Sequence, residues 1–208
     1  MDLPGSGEND CERDGEGGLL KDAASSVENL LGRKLTPEEL EDLKRGLSED
    51  IVLETLLYSE RSYFVLGSYG TDEKDQQELV RLELVRDVLD ERHPSHHAFL
   101  LSELPDFYPN WVVQFAVAAH RVDHVVCVFE HSFGGHEFEA GVLTLLRSHD
   151  LWVLKRAYDS ESKEREHFDG MMAHFFELVK ERDELRTWRD ERELETLASE
   201  ELPGKDTS

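Results

Sequence analysis

The stretch Val122-Asp-His-Val-Val-Cys-Val-Phe-Glu-His-Ser-Phe-Gly-Gly-His-Glu-Phe-Glu-Ala-Gly141 decides how this chain folds. Val122 to Phe129 is nearly continuous in apolar residues, the pattern of a strand buried on both faces. Gly134 and Gly135 then mark a turn, and the spacing predicts a helix from about His136 to Ser148. In an open parallel sheet, ligands gather beyond the carboxyl ends of the strands. Glu137 and Glu139 fall in that position, each free to act as a nucleophile, a sugar-hydroxyl acceptor or a plain helix-start acid.

The flanking sequence repeats the theme. Tyr63-Phe-Val-Leu66 is a short apolar run closed by Gly67-Ser68-Tyr69-Gly70. Residues 74 to 91 form an amphipathic helix built on Leu79, Val80, Leu82, Leu84, Val85, Val88 and Leu89. His97 to Leu101 is a second strand, Asn110 to His120 a helix, and Leu151 to Leu154 a fourth strand. A long charged helix is expected from about Ser162 to Leu185. Strands alternating with helices imply a parallel sheet with right-handed crossovers. The expected fold is a small doubly wound α/β domain, flavodoxin-like, with strand order 2-1-3-4. Its switch point lies between the first and third strands, so the turns at Gly67–Gly70 and His131–Glu139 face one crevice.

Residues 1–24 are rich in glycine and acids and read as a disordered acidic tail. Residues 25–60 form a helical N-terminal extension, 61–187 the α/β nucleotide-binding-like domain, and 188–208 an acidic C-terminal tail. Within the extension, Thr36-Pro37-Glu38-Glu39 combines an N-cap threonine, a first-position proline and a capping-box glutamate. Leu35 and Leu40 suit a hydrophobic staple, and Gly46-Leu47-Ser48 suggests a break. The extension either packs on the domain or makes a homodimer.

Acids outnumber bases 47 to 23, for a formal net charge of -24, and they are spread along nearly every expected helix. Self-repelling surfaces of this kind are a device of halophiles, so a salty cytoplasm in a haloarchaeal-type source is expected. The same charge disfavours nucleic acid, which is bound through Lys and Arg, and anionic membranes. No apolar run is long enough for a spanning helix, and the expected location is cytoplasmic. Cys11 lies in the tail and Cys127 mid-strand, so no disulfide is expected and Cys127 reads as a small core residue.

Gly135-His-Glu-Phe-Glu-Ala-Gly141, following the run Asp123-His-Val-Val-Cys-Val, resembles the signature of the nucleoside 2-deoxyribosyltransferases. Phe64-Val-Leu-Gly67-Ser68 is similar to the first-strand turn of the same family and of related N-glycosidases and TIR-like NAD hydrolases. The likeness spans roughly residues 62–158, and its specific part about twenty of them. The resemblance implies that Glu139 is the nucleophile, attacking the anomeric carbon of a ribosyl unit and forming a glycosyl ester as the base departs. It implies ligand contacts from Gly67, Ser68, Tyr69, Gly134, Gly135 and His136, and no cofactor. The chain departs from the family at two aspartates. Ser132 and Phe133 stand near one position, and Gln114 and Phe115 near the other. Asp106 and Asn110 are the nearest polar substitutes, and His131 or His136 is the candidate general acid.

Other residues carry less. His93, His96, His97, His120, His124 and His131 form no recognisable ligand spacing, and no metal is expected. Phe107, Tyr108 and Trp111 suit either base stacking or core anchoring. Asp123 either orients the first turn or merely starts a strand. Two functions compete. One is a nucleoside- or nucleotide-binding domain that cleaves or transfers an N-glycosidic bond. The other is a non-catalytic nucleotide sensor or protein-interaction domain.

The charge makes a first prediction. Raising KCl from low to molar concentration should raise the melting temperature, because screening relieves self-repulsion between surface carboxylates. A melting temperature that falls or stays flat across that series contradicts the halophilic reading.

Overall fold

The computed structural model describes residues 20–21, 24–25, 27–29, 32–49, 55–56, 58–69, 76–104, 111–132 and 150–202. Of the tail expected at 1–24, residues 1–19 lie outside these residues, while Leu20, Lys21 and Ala24 are helical and Leu20 and Ala24 pack against the core; the helix at 136–148 and the glycine turn at 134–135 also lie outside. In chain order the described elements are α1 (Pro37–Glu49), β1 (Arg61–Gly67), α2 (Gln76–Glu91), β2 (His96–Leu100), a 3-10 turn (Leu101–Glu103), α3 (Trp111–Arg121) and β3 (His124–Phe129). They continue with β4 (Asp150–Arg156), α4 (Glu161–His167), α5 (Gly170–Glu181), β5 (Leu185–Trp188), α6 (Glu191–Thr196) and a π-helical turn (Leu197–Glu201).

The strands make a five-stranded sheet of order β2-β1-β3-β4-β5, parallel throughout. Its first four strands have the order expected from the sequence. All six residues of β3 are buried, as its unbroken apolar run requires. Strand periodicity sends alternate side chains to opposite faces, and each face meets its own helices. On one face Phe64, Leu66, Val125, Cys127 and Val153 pack with α1, α3 and α5 through Leu43, Phe115, Ala118, Phe175 and Phe176. On the other, Tyr63, Val65, Val126, Val128 and Leu154 pack with α2, α6 and the π-turn through Leu82, Val85, Leu89, Leu194 and Leu197. Helices on both faces make the domain doubly wound.

The extension packs on the domain. Val27, Leu43 and Leu56 are buried in the α1/α3/α5 core. The capping box forms as expected, with Thr36 N donating to Glu39 Oε2 at 2.8 Å and Glu39 N donating to Thr36 Oγ1 at 3.2 Å. Helix α1 continues unbroken through Gly46-Leu47-Ser48, and Leu40 is exposed. Gly46 therefore lowers the helix's propensity without ending it.

The C-terminal region differs more. The single helix expected from Ser162 to Leu185 is two helices, divided at Phe168–Asp169. Asp169 accepts from the amides of Met171 and Met172, both at 2.9 Å, and so restarts the chain as α5. After α5, Asp183 adopts φ 60 and turns the chain into β5, a conformation aspartate tolerates better than most residues. The stretch from 188, expected as an acidic tail, carries buried Trp188, Leu194, Leu197, Ala198 and Leu202. Its acids face water while this apolar stripe covers β4 and β5. Composition alone hid the stripe.

The amino ends of β1 and β3 are stitched by neutral and hydrogen-bonded groups. Asp123 accepts from Ser62 N at 2.9 Å and Ser62 Oγ at 2.8 Å, and its own amide donates back to Ser62 Oγ at 3.0 Å. Beside this, buried His124 stacks on Tyr63 with ring centroids 5.2 Å apart, and His96 lies 5.7 Å from the same ring. Burial, above all, holds both imidazoles below their ordinary value of 6.5. Arg61 adds to that lowering at each, and Asp150 and Asp123 oppose it at His124. Both histidines are thus neutral in the fold and bind protons more readily when unfolded. Their contribution is full above about pH 6.5 and is lost as pH falls through the depressed folded values. Denaturant titrations at about pH 8 and about pH 5 should show stability falling with acidification, and His124→Gln should shrink that difference. An undiminished difference in the variant removes His124 from the acid response.

Candidate functional site at the carboxyl edge of the sheet

Strand β3 leaves its apolar run at Glu130, and β4 ends at Arg156. Alternation carries both side chains to the α2 face, in line with Val126 and Val128 on one strand and Leu154 on the other. Glu130 is only 6% exposed. A carboxylate so placed is tolerated only when its charge is compensated and its lone pairs are occupied. Arg81 of α2 supplies both, donating from Nε to Oε1 at 2.6 Å and from Nη2 to Oε2 at 2.8 Å. Arg156 adds a third donor, Nη1 to Oε2 at 2.8 Å. Tyr158 donates its hydroxyl to the Glu130 carbonyl at 2.5 Å.

Aromatic rings frame this ion cluster. The Trp188 ring lies 6.0 Å from the Arg81 guanidinium carbon and 5.4 Å from that of Arg156, both cation–π distances. Trp188 is itself fixed, its Nε1 donating to the Leu154 carbonyl at 3.1 Å. Tyr158 stacks on His167 with centroids 4.1 Å apart and planes 5° from parallel. Burial is the main cause that pushes the Tyr158 phenol up, and the nearby carboxylates Glu130 and Glu78 add to it against Arg156 and Arg81. Those influences on one phenol place the four charges in a single neighbourhood.

One turn before Arg81 on the same helix, Glu78 meets His131, with Oε1 2.9 Å from Nε2. Both side chains are mostly buried, at 12% and 19% exposure. The other Glu78 oxygen is enclosed and unpartnered. His131 sits immediately after Glu130, and Ser132 N and Oγ donate to the His167 carbonyl at 2.8 and 3.1 Å. The turn after β3 is therefore held from α2 and from the end of α4. A carboxylate that orients an imidazole in this way prepares it for proton transfer.

The residues singled out in the sequence divide into those at this edge and those elsewhere. Gly67, Ser68 and Tyr69 end β1 beside the end of β3, on the switch point as expected. Gly67 has a packing reason of its own: a Cβ there would lie 2.8 Å from Leu82 Cδ1 and 2.9 Å from the Val128 carbonyl oxygen. The Tyr69 hydroxyl accepts from Ser102 N at 3.4 Å, and the ring packs on the α2-face core. Glu139, Glu137, Gly134, Gly135 and His136 lie outside the described residues, as do Asp106, Phe107, Tyr108 and Asn110. Asp123 is at the opposite edge, bonded to Ser62. Gln114 and Phe115 belong to the core, Gln114 donating to the Leu104 carbonyl at 3.4 Å and Phe115 packing 5.6 Å from Phe64. No group of three metal-ligating side chains occurs among the described residues. Nor is any described helix long and apolar enough to cross a membrane.

Sequence reasoning missed Glu78, Arg81, Glu130, Arg156, Tyr158 and Trp188. A signal existed for two of them, since Glu130 and Arg156 are charges placed directly at the ends of buried strands. A concavity of about 670 Å³ opens elsewhere, along β5 between α5 and the π-turn. In its lining Lys155 pairs with Glu164 and Arg186 with Glu201, and Glu177 and Lys180 add charge beside them.

The fold and this edge define a doubly wound α/β domain whose switch point carries a buried charge cluster. Among known families, the chain belongs to DUF8170, a family of unknown function whose model matches residues 24–200. No curated protein matches it.

Breaking the buried pair from the Arg81 side removes two of the three side-chain donors on the Glu130 carboxylate. Arg81→Met should cost about 3–5 kcal/mol in denaturant unfolding, and Glu130→Leu in the same chain should recover much of the loss. A single variant within about 0.5 kcal/mol of wild type contradicts this account of the cluster.

Proposed function

We propose that this domain binds a nucleoside or nucleotide at the carboxyl edge of β1 and β3 and cleaves or transfers its N-glycosidic bond. The Glu78–His131 pair carries the reading. Departure of a nucleobase needs a proton at the leaving nitrogen, and an imidazole positioned by a carboxylate is suited to deliver it. The pair supports His131 as general acid, the role that the missing family aspartates left open. Glu139 follows eight residues after His131 and is the proposed nucleophile, by resemblance to the deoxyribosyltransferases. In this scheme its carboxylate attacks the anomeric carbon as the glycosidic bond breaks, and His131 protonates the departing base. Water or a second base then takes the glycosyl group from Glu139. Ser68 and Tyr69 are the proposed contacts to the sugar.

Incubation in molar salt with nucleosides, nucleoside monophosphates and NAD should release free base. Glu139→Gln should abolish release, and His131→Ala should slow it by roughly 10²–10⁴-fold. Glu78→Gln should lower the rate and change its pH profile, which a merely structural carboxylate would not do. Absence of base from every substrate sinks the catalytic reading. A non-catalytic nucleotide sensor is the second reading, favoured by the burial of Gln114 and Phe115 in the core where the resembling family carries an aspartate. Ligand-induced thermal stabilisation without turnover supports it.

A further inference from the structure

We propose that Arg156 is the phosphate-reading residue of this edge, so that the ligand is a nucleoside monophosphate rather than a free nucleoside. The proposal rests on the reading above and adds the ligand's charge to it. Arg81 already holds Glu130 through a two-point bond, and Arg156 gives the same carboxylate only one hydrogen bond. Glu191 lies 3.5 Å from Arg81 Nη1 and is well exposed, so it relates to Arg81 and is screened by water.

Arg156 spends only Nη1 on Glu130. Its Nε and Nη2 donate to no acceptor among the described residues, and the side chain is 35% exposed. The guanidinium plane is nonetheless held, between the Trp188 ring at 5.4 Å, the Tyr158 ring at 5.7 Å and Glu130. An immobilised fork with two unspent donors matches the oxygens of a phosphate, and ordering it beforehand removes the entropy a lysine would lose on binding. Its position is also apt. Strand β4 is next to β3, so Arg156 lies one strand from the switch point and beside the turn that carries His131.

Titration calorimetry on the full chain distinguishes the sources of such an anion. Inorganic phosphate, a nucleoside and its 5′-monophosphate would be compared on wild type, Arg156→Gln and Arg156→Lys. The expected result is a monophosphate at least about tenfold tighter than its nucleoside, with the preference lost in Arg156→Gln and weakened in Arg156→Lys. Phosphate alone should compete with the monophosphate. Equal wild-type affinities for nucleoside and monophosphate overturn the proposal and leave the nucleoside reading standing. Phosphate binding that vanishes in Arg156→Gln, without any nucleoside binding, sustains the anion site and overturns the nucleoside reading instead. Because the wild-type comparison decides the matter, failure of either variant to fold does not rescue it.

Discussion

Glu130 buries a negative charge at the point where strand β3 runs out of apolar residues, and the carboxyl edge of the sheet is organised around compensating it. Desolvating a carboxylate costs several kcal/mol unless charge and hydrogen bonds are returned to it. Three donors return them, from α2 and β4, and Trp188 of β5 caps the donors. Apolar contacts elsewhere in the domain allow small slippage between helix and strand. The two-point bond of Arg81 does not, because its geometry is directional. With Arg81 fixed, Glu78 three residues earlier is fixed on the same helix face, and its contact with His131 follows. The clamp thus sets the dyad's geometry.

The two edges of the sheet are built from different chemistry. At the amino edge, Asp123 and Ser62 form a closed hydrogen-bonded stitch, and two neutral histidines pack against Tyr63. Those groups have spent their polar capacity locally, apart from the enclosed Nδ1 atoms of His96 and His124. The carboxyl edge keeps unspent donors on Arg156. Gly67 contributes by letting Leu82 of α2 lie close to the strand: a Cβ there would meet Leu82 Cδ1 and the Val128 carbonyl oxygen. A residue that resembles a ligand-binding glycine in sequence therefore serves the site through packing.

The sheet was legible because its strands are short apolar runs at regular intervals, and burial on two faces leaves little choice of residue. Strand β5 was not, since Leu185-Arg-Thr-Trp188 has four residues, two of them polar, after a helical rhythm that gave no stop except Asp183. The capping box at Thr36 was readable as local chemistry. The Arg81–Glu130 pair spans 49 residues, and in a chain with 47 acids and 23 bases nothing in one dimension says which acid meets which base. Only the placement of Glu130 and Arg156 at strand ends set them apart. Glu78 looked like an ordinary first-turn acid, and its role depends wholly on where His131 arrives.

The anion site proposed at Arg156 meets a physical objection on a chain with formal net charge -24, because the field of the whole molecule repels an anion. Distance resolves it. Repulsion from scattered surface carboxylates acts over many ångströms and is screened within about 10 Å at 0.1 M salt and about 3 Å at 1 M. The attraction proposed for Arg156 acts at hydrogen-bond range, beside the Trp188 and Tyr158 rings, where less solvent lies between the charges than across the surface. Added salt therefore removes the opposing term faster than the favourable one, until the ions themselves compete for the guanidinium. Under that proposal a strongly acidic surface and phosphate recognition are best matched in a salty medium. Arginine suits this arrangement better than lysine, since its weaker hydration and planar fork retain specificity when simple Coulomb attraction is damped.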